Sequence, residues 1–166
     1  MFQIGDCIVY GTNGICKITA RGASPFDSKD TREFYVLKTL CENDRTIYSP
    51  SETCSQVARF PYTAETLSAL FASVSDLAPV DVPLEKRRKD YYRAAMANPS
   101  PESCLSMLKT VKARRAACAV QRKRLPAMDS EYEVLAKKLL LQEIRYAFSA
   151  TREEAEEKLQ TIMETL

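Results

Sequence analysis

The feature that most constrains the fold of this chain is a change in hydrophobic pattern near Pro61. Before Pro61, short segments rich in aromatic and β-branched residues are separated by polar turns, which is typical of strands. After it, apolar residues recur at intervals of three and four, the spacing of one helix face. The sequence therefore predicts an α+β chain, with a β module at residues 1–62 and a helical bundle at residues 63–166.

The N-terminal module is predicted to contain four or five short strands. Asn13-Gly14 indicates a tight hairpin turn, because both residues tolerate positive φ, and Asn43-Asp44 indicates a second turn. Residues 22–31 are polar and are expected to form an exposed loop. This pattern is typical of a small, strongly twisted antiparallel barrel of the SH3 or Tudor type. The clearest strands are predicted at residues 7–10, 15–18, 34–40 and 45–50.

Five helices are predicted after Pro61. The closely spaced prolines at residues 79–83 interrupt the pattern and predict a stiff joint near residues 78–83. Ser100 followed by Pro101 predicts a helix start. Two S/T-x-x-E capping boxes, Ser130 with Glu133 and Thr151 with Glu154, predict the last two helix starts. The first three helices are expected at residues 63–76, 84–97 and 101–125.

Composition excludes several functional classes. The 166 residues include six cysteines and no histidine, and the cysteines form no C-x-x-C pair, so metal ligation has little support and reduced thiols are expected. No phosphate-cradling glycine loop is present. We therefore predict no enzymatic activity, no cofactor and no metal. Without a membrane-spanning run or signal peptide, a cytoplasmic monomer is expected.

Positive charge is concentrated in one segment. The chain as a whole carries a net charge of +2, but residues 86–124 contain twelve Lys or Arg and only Asp90 and Glu102 as acids, which gives this segment a net charge of +10. A concentrated basic segment favours contact with a polyanion, although charged runs are often only solvated helix faces.

The order of motifs resembles the CarD/CdnL family of bacterial transcription regulators. The opening F-x-x-G-D-x-x-V-Y-x-x-x-G-I spans residues 2–15, and FYVLK, TIYSP, a basic KRRK helix and a final helical pair at residues 125–159 follow in the family's order. The G-D-x-x-V-Y opening is also similar to the polymerase-binding module of transcription-repair coupling factor. The combination with the helical second half favours CarD/CdnL.

This resemblance implies that the β module binds the β subunit of RNA polymerase through a strand edge. Arg21 and Tyr48 are the side chains most expected to face polymerase. The alternative for each is structural, with Tyr48 packed on the barrel and Arg21 solvated. The implied contact residues are Lys17, Thr19, Arg21, Thr46, Tyr48 and Pro50.

The resemblance also implies that the helical half contacts promoter DNA at the upstream edge of the transcription bubble and changes open-complex stability. Basic side chains bind backbone phosphates largely without reading sequence, so the affinity is expected to fall steeply with salt. Through polymerase, the protein would then associate with the nucleoid. The implied DNA-binding residues are Lys86, Arg87, Arg88, Lys89, Arg93, Lys112, Arg114, Arg115, Arg122, Lys123 and Arg124.

One departure from the family is the absence of tryptophan. Relatives place a tryptophan wedge ahead of the basic cluster, and an ungapped match places Glu85 near that position, where phosphates would repel it. Leu84, Tyr91 and Tyr92 are the candidate substitutes. Glu85 keeps open a second hypothesis, that the chain is a protein-interaction adapter without direct DNA contact.

Overall fold

The computed structural model describes residues 2–41 and 44–166, and the chain divides into two compact units, Met1–Pro61 and Tyr62–Leu166. The strands are β1 (Cys7–Tyr10), β2 (Ile15–Ala23), β3 (Glu33–Thr39), β4 (Thr46–Pro50) and β5 (Ala58–Arg59). The helices are α1 (Ser51–Val57), α2 (Ala64–Ala72), α3 (Arg88–Ala95), α4 (Pro101–Val120), α5 (Ala127–Phe148) and α6 (Arg152–Thr165). The predicted α+β class is confirmed.

The first unit is a five-stranded antiparallel sheet in the order β4-β3-β2-β1-β5. The sheet is open, so β4 and β5 are its edges. A bulge between Ile18 and Ala20 shifts the register of β2 against β3. Such a bulge bends the strand and increases its twist, which gives the sheet the curvature expected of a barrel-like module.

One face of this sheet is closed by a helix that the sequence pattern does not predict. Cys54 of α1 is buried with Ile8, Cys16, Tyr35 and Leu37. The helix has seven residues and buries only Cys54, so it leaves no apolar period in the sequence. Burial raises the pKa of both Cys16 and Cys54 to about 11, and all six cysteines are free thiols.

The first hairpin turn differs in detail from the prediction. Residues 11–13 form a short 3-10 turn, and the residues with positive φ are Gly11 (49°) and Gly14 (77°). The predicted hairpin between β1 and β2 is confirmed, but Asn13 keeps a negative φ, so only Gly14 of the predicted pair takes a positive φ. Glycine adopts the left-handed region without steric cost, which explains why two glycines bracket the turn. The second predicted turn includes Asn43, which lies outside the described residues.

The helical unit packs around one apolar core. Its centre is formed by α4 and α5, and α3 contributes the fully buried Tyr92 while α6 contributes residues such as Leu159. The periodic apolar residues of these four helices are thus buried in the same core. The largest fully buried side chains of this unit are Leu67, Tyr92, Leu105, Met107, Leu108, Leu140 and Ile144.

The helix boundaries confirm two of the predicted caps and overturn a third. Ser100 caps α4, and Thr151 forms a capping box with Glu154 at α6. Ser130 lies inside α5, which begins at Ala127 after Pro126. The helix α4 ends at Val120 rather than at residue 125, because Arg122 adopts a φ of 53° that a helix cannot continue through.

The proline-rich segment at residues 79–83 lies within the helical unit rather than between two domains. The backbone N–H of Val80 donates to Thr110 Oγ1 of α4 at 2.7 Å, and Lys109 Nζ donates to the carbonyl of Leu77 at 2.8 Å. The side chains of Val80 and Val82 pack on the core. These contacts fasten the segment to α4, so it is a strap and not a free linker.

Candidate interface residues

The β4 strand presents a free backbone edge. The N–H of Thr39 donates to the carbonyl of Arg45 at 3.0 Å, and hydrogen-bonded and open pairs alternate along an antiparallel ladder. Given the observed register, Thr46, Tyr48 and Pro50 occupy the open positions, where backbone polar groups point away from β3. An added strand would pair with these groups. Proline is tolerated at position 50 because the backbone N–H at an open position donates no hydrogen bond to β3.

The sheet register decides which predicted side chains share a face. Residues directly opposite each other lie on the same face, and the face alternates along a strand. Lys17 is paired across β3 with Thr46, and Ala20 is paired across β3 with Tyr48. Lys17, Thr46, Tyr48 and Pro50 therefore lie on one face, with the three β4 residues at the free edge and Lys17 two strands away from it.

Two of the predicted contact residues stand apart from this group. Arg21 is paired with Tyr35 and lies on the opposite face, where its guanidinium stacks on the Tyr35 ring at 5.6 Å and forms an ion pair with Glu33. Thr19 lies in the bulge, and its hydroxyl donates to the carbonyl of Val36 at 3.1 Å. The structure thus does not bring Arg21 and Tyr48 together.

Phe26, which the sequence did not predict as a contact residue, also lies on this face. Phe26, in the loop between β2 and β3, packs edge-on against Tyr48 with the ring centroids 5.3 Å apart. The Phe26 side chain is 75% exposed and Tyr48 is 41% exposed. The sequence signal was a single aromatic residue inside an otherwise polar loop, held by hydrogen bonds from the Phe26 and Asp27 amides to Ser24 Oγ.

An open sheet edge flanked by exposed aromatic residues is typical of a surface that binds another protein. A family model described as CarD-like/TRCF RID domain matches residues 2–60, which is almost the whole first unit. The N-terminal unit therefore belongs to this family, and a domain of this kind points to RNA polymerase as its partner. No curated protein matches the chain.

Five of the predicted DNA-binding side chains are already engaged within the helical unit. Arg115 pairs with Glu133, and Arg87 pairs with Asp90 at 3.3 Å. Lys112 Nζ donates to the carbonyl of Met163 at the end of α6. Arg88 and Arg114 each form ion pairs with Glu85 and with Asp129. The ion pairs of the four arginines reduce the positive charge available to a polyanion.

The remaining six predicted side chains are exposed. Lys86, Lys89 and Arg93 are spaced by three and four residues along α3 and the 3-10 turn that precedes it (Glu85–Arg87), which places them on one helix face. Among residues 2–41 and 44–166, none of the three has an acidic partner. The same holds for the segment after α4, which contributes Arg122, Lys123 and Arg124.

A buried carboxylate organises the start of α5. Asp129 is fully buried, and its Oδ1 accepts a hydrogen bond from the Tyr92 hydroxyl at 2.9 Å while its Oδ2 accepts one from Arg88 at 3.1 Å. Arg114 Nε lies 3.2 Å from Asp129 Oδ1 as an ion pair. Burial and the Asp129 contact together raise the pKa of Tyr92 above its usual range.

This arrangement removes Tyr92 from the candidate wedges. Its side chain has no exposed surface and its ring packs against Tyr132 at 5.3 Å, so it cannot enter DNA without unfolding α3. Tyr91 is half-buried. Leu84 is 56% exposed and immediately precedes the basic turn, which leaves it as the best-placed apolar side chain.

No helix in the described residues is both long and apolar enough to cross a bilayer. The same residues contain no group of three or more cysteine or acidic side chains that could hold a metal ion.

Proposed function

We propose that this chain is a transcription regulator whose N-terminal unit binds the β subunit of RNA polymerase. The observation that carries the proposal is the CarD-like/TRCF RID match over residues 2–60, in a unit whose β4 edge is free. The docking would add a strand of the β subunit along Thr46–Pro50, with Tyr48 and Phe26 providing side-chain contacts. Such a protein acts where polymerase acts, in the cytoplasm and on the nucleoid.

We further propose that the helical unit contacts promoter DNA and alters the stability of the open complex. The support is the row of Lys86, Lys89 and Arg93, which have no acidic partners in the described part of the chain, together with the exposed Leu84 beside them. Phosphate contacts of this kind position a protein on DNA without reading sequence. Leu84 is the candidate wedge.

The docking proposal is tested by replacing Tyr48 with alanine in the full chain. Tyr48→Ala removes an exposed aromatic contact next to the free edge, and hot-spot truncations of this kind cost about 2 kcal/mol or more, which corresponds to roughly thirtyfold in affinity. The control is Tyr146→Ala, which removes a tyrosine of similar exposure, 44%, from the helical unit. Binding to immobilised polymerase core is measured by biolayer interferometry.

The proposal requires Tyr48→Ala to weaken binding while Tyr146→Ala binds like the wild type. Equal affinities of all three proteins for polymerase would contradict docking through β4.

The DNA contact is tested by reversing one exposed charge. Lys89→Glu is expected to weaken binding to a promoter duplex and to reduce the salt slope of the affinity by about one. Lys29→Glu is the control, because Lys29 is an exposed lysine in the loop between β2 and β3 and the net charge changes equally. Fluorescence anisotropy at several salt concentrations measures both. Equal losses in the two variants would argue against a local contact.

The adapter hypothesis is the second candidate. It is favoured by the internal ion pairs of Arg87, Arg88, Arg114 and Arg115, which resemble a neutralised surface more than a DNA-binding one. An adapter would bind polymerase through β4 and show no salt-sensitive binding to duplex DNA.

A further inference from the structure

Glu85 is an exposed acidic side chain that bridges two of the predicted DNA-binding arginines, which the buried Asp129 also contacts. Arg114 donates to it through two nitrogens, at 2.7 Å and 3.3 Å, and Arg88 forms a close ion pair with the same carboxylate. The Glu85 side chain is 59% exposed, so solvent reaches the site that it occupies.

The two arginines are held in place from the other side. Their contacts with the buried carboxylate of Asp129 do not involve Glu85. Both arginine side chains are largely buried, which restricts their rotamers further. Arg88 and Arg114, here called the arginine fork, therefore keep their positions when Glu85 moves away.

The arginine fork has the chemistry of a phosphate site. Guanidinium groups recognise carboxylates and phosphates with the same forked geometry, and phosphate oxygens are acceptors of the same kind. The two arginines are balanced in charge by Asp129 and Glu85. Because Asp129 is buried, departure of Glu85 leaves one net positive charge facing solvent.

We propose that the arginine fork binds a phosphate of the DNA backbone and that Glu85 occupies this site in the free protein as a built-in competitor. The inference rests on the proposed function, because it assumes that the helical unit meets DNA. It also gives Glu85 a role. The DNA phosphate displaces Glu85 from the fork, so the negative charge of Glu85 does not block DNA binding.

The competition persists across the physiological pH range. The hydrogen bond from Arg114 is the largest effect that lowers the pKa of Glu85 below its ordinary value, and the charge of Arg88 adds to it. Glu85 thus stays ionised at neutral pH. Only displacement by another anion frees the fork.

The test compares Glu85→Gln with Asp81→Asn in the full chain. Both variants remove one negative charge from the same part of the chain, but Asp81 is exposed and makes no ion pair within the described residues. We expect Glu85→Gln to bind a promoter duplex about fivefold more tightly, the change that corresponds to an exposed ion pair at the upper end of its usual strength. We expect Asp81→Asn to bind like the wild type. Equal gains in both variants, or no gain in Glu85→Gln, would overturn the proposal.

A second measurement separates this inference from the proposed function. The side-chain Nε–Hε resonances of Arg88 and Arg114 are followed by NMR while inorganic phosphate is added. Saturable shifts that are stronger in Glu85→Gln than in the wild type support the fork as a phosphate site, even where no protein binds duplex DNA and the DNA-binding function itself fails. Absence of any phosphate response in Glu85→Gln would overturn the fork.

Discussion

At the residue scale, the buried carboxylate of Asp129 connects three helices of the helical unit. It is fully buried and joins α3, α4 and α5 through Tyr92, Arg114 and Arg88. A buried carboxylate is tolerated only when its charge and its hydrogen bonds are satisfied. Here two guanidinium groups and one hydroxyl meet both requirements.

We predict that Asp129→Ala lowers the free energy of unfolding by about 3 kcal/mol, because it removes the buried carboxylate that both largely buried guanidinium groups contact. Tyr92→Phe removes only one hydrogen bond to this carboxylate and is expected to cost about 1.5 kcal/mol. Urea unfolding followed by circular dichroism at 222 nm measures both. Equal stabilities of Asp129→Ala and the wild type would show that the cluster contributes nothing to the fold.

Single residues also show which parts of the candidate interface could be predicted from the sequence. Thr46, Tyr48 and Pro50 were predicted as contacts and do lie along one open edge, because strand alternation fixes their face. Arg21 and Tyr48 were both predicted to face polymerase, but the bulge between Ile18 and Ala20 places Arg21 on the opposite face from Tyr48. A shift of one residue exchanges the faces of a strand, and no signal in the β2 sequence marks this bulge.

At the element scale, the two predicted capping boxes have the same sequence spacing, but only one of them forms in the structure. Thr151 and Glu154 form both hydrogen bonds of a box at α6, at 3.2 Å and 2.8 Å. Ser130 and Glu133 have the same spacing, yet Glu133 pairs with Arg115 and Lys137 instead. The start of α5 at Ala127 follows from Pro126, which cannot occupy a helix interior.

We predict that Thr151→Ala destabilises the protein by about 1 kcal/mol, the usual effect of losing an N-cap. Ser130→Ala is the matched control, since alanine is a better helix former than serine in a helix interior and the stability is expected to be unchanged or slightly higher. Both are measured by thermal and urea unfolding. A loss of stability in Ser130→Ala as large as that in Thr151→Ala would contradict the assigned start of α5.

Elements of strong periodicity were predictable, whereas short ones were not. The helices α4, α5 and α6 have long apolar faces, and β1 to β4 contain the aromatic and β-branched residues that favour strands. The helix α1 has seven residues and depends on contact with the sheet through Cys54. The strap at residues 79–83 owes its position to α4 through Thr110. The sequence predicts neither the helix α1 nor the attachment of residues 79–83 to α4, because tertiary contacts determine both.

At the scale of the whole molecule, we propose a different kind of partner for each unit. The sheet offers a free edge for a protein strand, and the helical unit offers exposed lysine and arginine side chains for phosphates. The basic segment is less positive than its composition implies, because acidic side chains from α5 and from Glu85 neutralise several of its arginines. The sequence alone could not reveal this, since the acids lie up to 41 residues away along the chain.

The most direct test of the central claim is site-specific photo-crosslinking in one complex of polymerase, promoter DNA and the full chain. A photoreactive residue is placed at Tyr48 in one protein and at Lys89 in another. We expect a crosslink from position 48 to the β subunit and a crosslink from position 89 to promoter DNA near the upstream edge of the bubble. A crosslink from position 89 to protein alone, or none from position 48 to polymerase, would contradict this claim.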